Sequence, residues 1–204
     1  DFLFMCGGYY SYDDPHRPEF PGESRYQGQV LHPQFWPEDL DYEGKKVIVI
    51  GSGATAMTIV PSMTQKGAQV TMVQRSPTYV VSRPAEDKIA NTLRKWLPEK
   101  WAYAITRLKN TTLSGYFYRQ TRSQPAKTKA QLLGMATANL GEEMVKAHFT
   151  PSYNPWDQRM CLIPDGDLYQ SINEGSAQVV TGDIETWTEQ GLVMKDGTEV
   201  TGDI

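Results

Sequence analysis

The 204-residue sequence predicts an α/β fold: a Rossmann-like parallel sheet with a helical insertion and C-terminal β segments. Two observations predict the parallel sheet. The run KVIVI at 46–50 leads directly into a glycine-rich turn and a helical segment, and a second apolar run, AQVTMVQRS, follows at 68–76. Strand, turn, helix and strand together make a βαβ unit of about 30 residues, whose strands are parallel neighbours.

Each element of this unit has a local justification. The continuous apolar run at 46–50 is typical of a strand buried on both faces of a parallel sheet. Helical signals extend from Ala54 to about Lys66. Pro61 lies within them and predicts a kink, or tight packing of the first half of the helix.

The region 84–146 has a different texture and predicts a helical insertion. Apolar residues recur there at helical spacing, namely Leu93, Trp96, Leu97, Trp101, Ile105 and Leu108. Aromatic residues at such spacing most often belong to a core, although those between 96 and 156 are also candidates for lining a substrate pocket. From 83 to 129 there are 11 Lys or Arg residues and 3 Asp or Glu residues. This basic region is interpreted either as a solvated helical face or as peripheral docking to an anionic membrane surface or an acidic partner.

The C-terminal part returns to β character. Val179–Val180 predicts a strand, and alternating segments follow it. They are joined at Gln190-Gly191 and at Asp196-Gly197, and an Asp-Gly pair between alternating runs is a strong signal for a β-hairpin.

Composition narrows the class of protein. Apolar residues make up 39% and charged residues 22%, which is near the globular average, and the net charge of -4 argues against nucleic acid as a partner. The two cysteines, Cys6 and Cys161, form no spaced framework, so a reduced cytoplasmic protein is expected. No run of about 18 apolar residues predicts a membrane span, and no metal site is predicted.

Both ends of the sequence predict an internal portion of a longer chain. The run FLFMC at 2–6 predicts a buried strand that leads into a Gly-Gly turn, with nothing before it to cover it. The last residues, GTEVTGDI, end as though another strand were about to begin.

The turn after the first predicted strand has the pattern G-x-G-x-x-A. The first glycine permits a tight turn, the second lets the backbone approach a pyrophosphate, and the alanine allows close packing of helix on strand. Backbone N–H groups at the start of the helix would then face the phosphates. The sequence therefore predicts a dinucleotide site at Gly51, Ser52, Gly53, Ala54, Thr55 and Ala56.

The end of the second strand indicates which dinucleotide binds. Sites for NAD or FAD place an acidic residue there to bind the ribose hydroxyls, whereas this strand ends with Gln74, Arg75 and Ser76. A guanidinium grips a 2′-phosphate, and a serine hydroxyl adds a hydrogen bond. We therefore expect NADP(H), with Arg75 as an ordinary surface residue the alternative.

The segment before the first strand carries a longer pattern, Tyr26-x-Gly28-x-x-x-His32-x-x-x-Trp36-Pro37. It resembles the fingerprint F-x-G-x-x-x-H-x-x-x-W-P of the type I Baeyer–Villiger monooxygenases, relatives of the flavin-containing monooxygenases, with Tyr in place of Phe. Its position just before a G-x-G-x-x-A turn also matches that family.

Two further stretches support the resemblance. VQRSPTYV at 73–80 resembles the family's Q-R-[ST]-P stretch, which implies that Arg75 and Ser76 bind the 2′-phosphate. TPSYNPWDQR at 150–159 resembles a segment that usually ends Lys-Arg-Pro. It implies a phosphate-binding role for Gln158 and places Arg159 near flavin and nicotinamide, although Gln158 and Met160 depart from the pattern.

The resemblance implies a function and a domain organisation. NADPH would reduce FAD, and O2 would then supply one oxygen atom to a ketone or to a soft nitrogen or sulfur nucleophile of a small organic substrate. The chain would contain a link at 1–44 from a FAD domain, an NADPH-binding domain at 45–83 and 147–204, and the helical insertion at 84–146. The FAD domain itself would lie mostly outside the chain.

The candidate catalytic residues are Arg159 and His32. Arg159 would stabilise negative charge beside the flavin, and its alternative role is a salt bridge to Asp157 or Asp165. We interpret His32 as a positioning residue that is hydrogen-bonded on the link, with a purely structural histidine as the simpler interpretation. His16 and His148 are expected to be surface or packing residues.

Two other functions remain as alternatives. A disulfide reductase-like flavoenzyme uses the same two-dinucleotide layout, but it needs a redox cysteine pair that Cys6 and Cys161 do not form in sequence. The isolated chain as a non-catalytic NADP(H)-binding module is the second alternative.

Overall fold

The computed structural model describes residues 2–6, 8, 11–158 and 160–204. Within them the strands are β1 Lys46–Ile50, β2 Gln69–Gln74, β3 Val80–Arg83, β4 Cys161–Pro164, β5 Ala177–Thr181, β6 Ile184–Thr188, β7 Gly191–Met194 and β8 Glu199–Thr201. The helices are α1 Ala54–Thr64, α2 Lys88–Trp96, α3 Glu99–Ser123, α4 Pro125–Leu140, α5 Glu142–His148 and α6 Asp167–Asn173. Short 3₁₀ turns occur at Glu23–Arg25 and Pro33–Phe35.

A parallel sheet in the order β1-β2-β5 forms the centre of the fold. Strands β1 and β2 pair in parallel from Lys46↔Gln69 to Ile50↔Val73, so both carboxyl ends lie at the same edge of the sheet. Helix α1 packs on this sheet through Met57, Val60 and Met63, which are at most 3% exposed. Burying each such side chain stabilises the fold by about 1.5–3 kcal/mol. The predicted Rossmann-like α/β fold is thus confirmed.

Two smaller sheets flank the central one. Strands β3 and β4 form a parallel pair, while β6, β7 and β8 form an antiparallel meander. The turns of this meander lie at the predicted Gln190-Gly191 and Asp196-Gly197 positions, so both hairpin predictions are confirmed.

Helices α2 to α5 lie between β3 and β4 in the chain, and their outer surface differs from the sequence-based expectation. Trp96, Trp101 and Leu108 are 82%, 65% and 68% exposed, so they belong neither to a core nor to a covered pocket wall. Trp96 is the last residue of α2, and Trp101 and Leu108 belong to α3, so these side chains lie on helix faces that no element of the described residues covers.

The predicted buried strand at 2–6 is wrong. Phe2, Leu3, Phe4 and Met5 are 74–88% exposed, and residues 2–6 form no strand. A strand needs a neighbouring edge for its backbone hydrogen bonds, and none of the described strands pairs with this segment. Gly7, the first residue of the predicted Gly-Gly turn, lies outside the described residues.

None of the helices in the described part of the chain is long and apolar enough to cross a membrane.

Candidate functional site

The glycine-rich turn follows β1 at the carboxyl edge of the central sheet. Gly51 has φ +128°, a conformation that L side chains rarely adopt, and its N–H donates to the Val73 carbonyl oxygen at 2.8 Å. Gly53 begins α1 as its N-cap with extended backbone, φ -78° and ψ -179°. A Cβ atom added at Gly51 or Gly53 would meet nothing within 4 Å, so the space above the turn is open.

The amino-terminal end of α1 carries neither a side-chain cap nor an acidic residue in its first turn. The N–H of Met57 donates to the Gly53 carbonyl oxygen at 3.1 Å, as the first helical bond should. The N–H groups before it, at Ala54, Thr55 and Ala56, are those that an α-helix leaves without a partner within the helix. An open turn with free donors at the positive end of a helix dipole fits a pyrophosphate.

Arg75 and Ser76 follow β2 at the same edge of the sheet. Both residues are exposed. No side-chain hydrogen bond or ion pair ties the Arg75 guanidinium to another residue of the described segments. A cationic group that faces solvent at the same sheet edge as the glycine turn, and has no partner among the described residues, is suited to binding a phosphate.

Gln74, one residue earlier, forms a polar network that the sequence did not predict. Its side chain is 1% exposed, and its Nε2 donates to the His148 carbonyl oxygen at 2.7 Å and to Thr181 Oγ1 at 2.9 Å. The His148 Nδ1 lies 2.8 Å from the same Thr181 Oγ1. Burial lowers the pKa of His148, which favours its neutral form. The network joins β2, β5 and α5, and Gln74 therefore points inward where an acidic residue would bind a ribose.

The segment from 153 to 158 lies against the residues that lead from β2 into β3. Tyr79 Oη donates to the Tyr153 carbonyl oxygen at 2.6 Å. Asp157 forms an ion pair with Arg122 of α3, in which Arg122 Nη1 and Asp157 Oδ1 are 2.7 Å apart. Gln158 is exposed. Arg159, together with its predicted catalytic role and the alternative salt bridge, lies outside the described residues.

The fingerprint segment is anchored by its first half. Tyr26 packs edge-on against Trp187 of β6 with ring centroids 5.3 Å apart, and its Oη donates to the Gly202 carbonyl oxygen at 3.1 Å. Burial, with a smaller contribution from the Asp203 carboxylate, raises the pKa of Tyr26. A Cβ atom at Gly28 would lie 2.5 Å from the Asp203 carbonyl oxygen, so only glycine allows this close approach.

His32 and Trp36, in the second half of the fingerprint, make local contacts. The His32 Nδ1 accepts a hydrogen bond from the Gln34 N–H at 3.2 Å and thereby caps the 3₁₀ turn at Pro33–Phe35. Trp36 is 39% exposed and meets Tyr42 edge-on at 6.1 Å. Both residues also line a cavity of about 610 Å³ between the link and β1, which Thr55 of α1 reaches from the other side.

The structure brings the glycine turn together with Arg75 and Ser76 at one sheet edge, and the 153–158 segment reaches the same loop through Tyr79. Two features that support the site were not predicted from the sequence. The Gln74 network has no local signal, because its partners at 148 and 181 are distant in the chain. The anchoring role of Gly28 depends on a contact with Asp203, which is equally remote.

The family model and the curated relatives that match the chain all describe the same class of protein. A family model described as flavin-binding monooxygenase-like matches residues 1–201. The chain is 47% identical over 206 residues to the FAD-containing monooxygenase EthA of Mycobacterium tuberculosis, covering 100% of this chain and 42% of that protein. It is 47% identical over 205 residues to the probable FAD-binding monooxygenase AlmA of Acinetobacter baylyi, covering 100% of this chain and 41% of that protein. The chain thus spans less than half the length of these curated relatives.

Solved structures show the same fold. An oxidised steroid monooxygenase bound to NADP superimposes with a TM-score of 0.66 at 20% identity, covering 92% of this chain and 42% of that one. A complex of OTEMO with FAD and NADP has a TM-score of 0.69 at 17% identity, covering 97% of this chain and 45% of that one. An open form of cyclohexanone monooxygenase has a TM-score of 0.65 at 18% identity, covering 92% and 44%.

Proposed function

The chain belongs to the flavin-binding monooxygenase-like family, and we propose that it is the NADPH-binding portion of a FAD-dependent monooxygenase. The observation that carries this proposal is the pairing, at one sheet edge, of an open uncapped glycine turn with an arginine that has no partner among the described residues. Neighbours of the same fold are described as bound to NADP and FAD, which supports this choice of cofactors.

Different residues bind different parts of NADPH. The N–H groups of Ala54 and Thr55, with the turn from Gly51 to Gly53, hold the pyrophosphate. Arg75 and Ser76 hold the 2′-phosphate, and Gln158 adds an amide donor to it. The residues at 45–83 and 147–204 act as the coenzyme domain, with 1–44 as the link and 84–146 as the helical insertion.

When bound, FAD would supply the redox chemistry, namely acceptance of a hydride from NADPH and activation of O2. Residues outside this chain bind most of it. The role of this chain is to hold the nicotinamide end of NADPH in place by its phosphates. Arg159 remains the candidate for stabilising negative charge beside the flavin. Among the substrates in the names of the fold neighbours are a steroid and cyclohexanone, which favours oxygen insertion into ketones over oxygenation of nitrogen or sulfur.

Coenzyme titration of the complete protein tests the proposal. We expect NADPH to bind more tightly than NADH, because the 2′-phosphate is absent from NADH. Removing charge-assisted hydrogen bonds worth about 1.5–3 kcal/mol should make Arg75→Ala bind NADPH about 10- to 100-fold more weakly, with NADH affected little. Arg119→Ala, which removes an exposed arginine of α3, is the matched control. Equal affinity of the wild type for both coenzymes would refute the assignment.

A substrate screen tests the reaction class. The complete protein is incubated with cyclic ketones, linear ketones and sulfides, while the oxidation of NADPH, the uptake of O2 and the products are followed together. Esters or lactones formed in proportion to O2 consumed would support oxygen insertion into ketones. Sulfoxides alone would assign heteroatom oxygenation, and a complete protein without flavin would contradict the monooxygenase proposal.

The cysteines do not favour the disulfide reductase alternative. Cys6 is exposed whereas Cys161 is buried at 4% exposure, and no disulfide joins the two. A redox pair needs two sulfurs close enough to bond. The alternative of a non-catalytic binding module for the isolated chain is compatible with the proposal, since FAD is bound largely by residues outside the chain.

The basic insertion supports a second, separate proposal of peripheral contact with an anionic membrane surface. Trp96 and Trp101 are largely exposed, and Lys95 and Lys100 neighbour them in sequence. Tryptophan and lysine together are typical of interfacial helices. Sedimentation of the complete protein with phosphatidylcholine vesicles, with and without phosphatidylglycerol, tests this contact. Binding should require the anionic lipid, weaken with salt and fall in Trp96→Ser; no binding to either vesicle refutes it.

A further inference from the structure

The two segments that carry the proposed 2′-phosphate ligands run side by side. The residues from Arg75 to Tyr79 lead into β3, and the residues from Tyr153 to Gln158 precede β4. Since β3 and β4 are parallel and paired from Val80↔Cys161 onward, both segments approach the same end of this small sheet. The Cys161 N–H donates to the Tyr79 carbonyl oxygen at 2.8 Å and marks where they meet.

Two tyrosines connect these segments reciprocally. Tyr79 Oη donates to the Tyr153 carbonyl oxygen at 2.6 Å, and Tyr153 Oη donates to Thr78 Oγ1 at 3.1 Å. The rings are perpendicular, with centroids 5.5 Å apart, which is a favourable edge-to-face arrangement. Each tyrosine therefore bonds to the segment that carries the other.

The tyrosine pair is less exposed than the proposed ligands on the same two segments. Tyr79 is 1% exposed, whereas Arg75, Ser76 and Gln158 are exposed. Burial, assisted by Tyr153 and Asp157, raises the pKa of Tyr79 to about 12, so its hydroxyl stays a neutral donor at ordinary pH. The proposed phosphate ligands are therefore exposed to solvent, while the two segments that carry them are joined by the hydrogen bonds of Tyr79 and Tyr153.

We propose that Tyr79 and Tyr153 are positioning residues of the 2′-phosphate site: they hold the segment of Arg75 and Ser76 against that of Gln158 and so set the preference for NADPH over NADH. This inference rests on the proposed function. Neither tyrosine contacts the coenzyme in this scheme. Each acts by fixing the separation between two groups that must bind one phosphate together, which reduces the ordering cost of binding.

Variants of the complete protein test the role of the pair. Tyr79→Phe removes the hydroxyl that binds the Tyr153 carbonyl, and Tyr153→Phe removes the hydroxyl that binds Thr78, while both keep their rings. Tyr169→Phe is the matched control: Tyr169 is 3% exposed and its Oη donates to the Val80 carbonyl oxygen at 2.9 Å, but it lies on α6 and joins neither segment to the other.

The readout is the ratio of dissociation constants for NADH and NADPH by calorimetry, with the melting temperature of each variant measured in parallel. We expect Tyr79→Phe and Tyr153→Phe to lower this ratio about two- to twelvefold, the range expected for the loss of one hydrogen bond. Tyr169→Phe should lower the melting temperature and leave the ratio unchanged.

The outcomes separate this inference from the proposal on which it rests. If the wild type does not prefer NADPH, the proposed function fails. If the wild type prefers NADPH but both variants keep its ratio, or lose affinity for both coenzymes equally, the tyrosines are only structural and the inference is overturned. Should Tyr79→Phe not fold, Tyr153→Phe decides, because Tyr153 is only half-buried and keeps its ring.

Discussion

Replacing Gly28 by alanine tests why the fingerprint contains a glycine at this position. Gly28 does not have a positive φ, so its backbone conformation alone would accept alanine. The obstacle is steric. An added methyl group would lie 2.5 Å from the Asp203 carbonyl oxygen and 2.4 Å from the Tyr26 ring. The tyrosine ring is able to turn aside, but the carbonyl belongs to the backbone, so the link itself must move away.

The size of the effect follows from what that movement breaks. The Asp203 carbonyl oxygen accepts the Gln29 N–H at 3.1 Å, and the neighbouring Gly202 carbonyl oxygen accepts Tyr26 Oη at 3.1 Å. Two hydrogen bonds at about 1 kcal/mol each amount to about 2 kcal/mol, which is within the usual cost of overpacking. A local opening free energy reduced by about 2 kcal/mol corresponds to about thirtyfold faster exchange of the amide protons that it protects.

Hydrogen exchange measured by mass spectrometry on the complete protein is the assay. Peptides containing the Gln29 amide should exchange about thirtyfold faster in Gly28→Ala, and the melting temperature should fall. Gly134→Ala is the matched control, because a Cβ atom there meets nothing within 4 Å and alanine favours the interior of α4. If Gly28→Ala exchanges like the wild type around Gln29, the close approach to Asp203 does not anchor the link.

Three further predictions concern the site and its supports. Gly53→Ala should leave the melting temperature unchanged, since nothing lies near its Cβ position. It should weaken NADPH binding about tenfold or more, because the methyl group fills the space for the pyrophosphate. Unchanged affinity in a titration would contradict the predicted dinucleotide site. Gln74→Glu should lower the free energy of unfolding by about 1–3 kcal/mol in urea titration, because a carboxylate cannot donate to the His148 carbonyl oxygen. NMR titration of the same variant should show a higher pKa for His148. An unchanged free energy of unfolding would contradict a stabilising role of the Gln74 network. The hydrogen bond from Lys109 lowers the pKa of Asp87 from 3.8 to about 2, so this pair stabilises the protein above about pH 4 and the stabilisation is lost toward pH 2. Lys109→Met should therefore lose less stability than the wild type between about pH 4 and about pH 2. An equal loss in both proteins would contradict a stabilising role of this pair.

The sequence predicts the centre of this fold well because its signals are local. The run at 46–50, the G-x-G-x-x-A turn and the helix after it lie within 20 consecutive residues, and each has its own periodicity or backbone requirement. The structure retains them with few changes. Even Pro61 is accommodated inside α1, where it is fully buried.

The remaining features depend on pairs of residues far apart in the chain. Gln74 meets Thr181, 107 residues away, and Tyr79 meets Tyr153, 74 residues away. Helical spacing correctly predicted α2 and α3, but it did not predict that Trp96 and Trp101 would be exposed, because spacing defines a face and not what covers it. The run at 2–6 failed for the same reason: apolar residues form a strand only beside an edge that accepts them.

The Gly28 contact and the glycine turn are close in sequence, but they lie at opposite ends of β1. The Asp203 N–H donates to the Lys46 carbonyl oxygen at 2.7 Å, and the Lys46 N–H donates to Asp203 Oδ2 at 2.8 Å, so the Gly28 contact secures the first residue of the strand. The glycine turn follows Ile50, about 13 Å further along at the usual rise of a strand. Perturbations separated by more than about 10 Å without shared partners behave independently. At temperatures well below its melting temperature, Gly28→Ala should therefore bind NADPH with a dissociation constant within about twofold of the wild type. A larger loss of affinity in titration would mean that the Gly28 contact also stabilises the glycine turn.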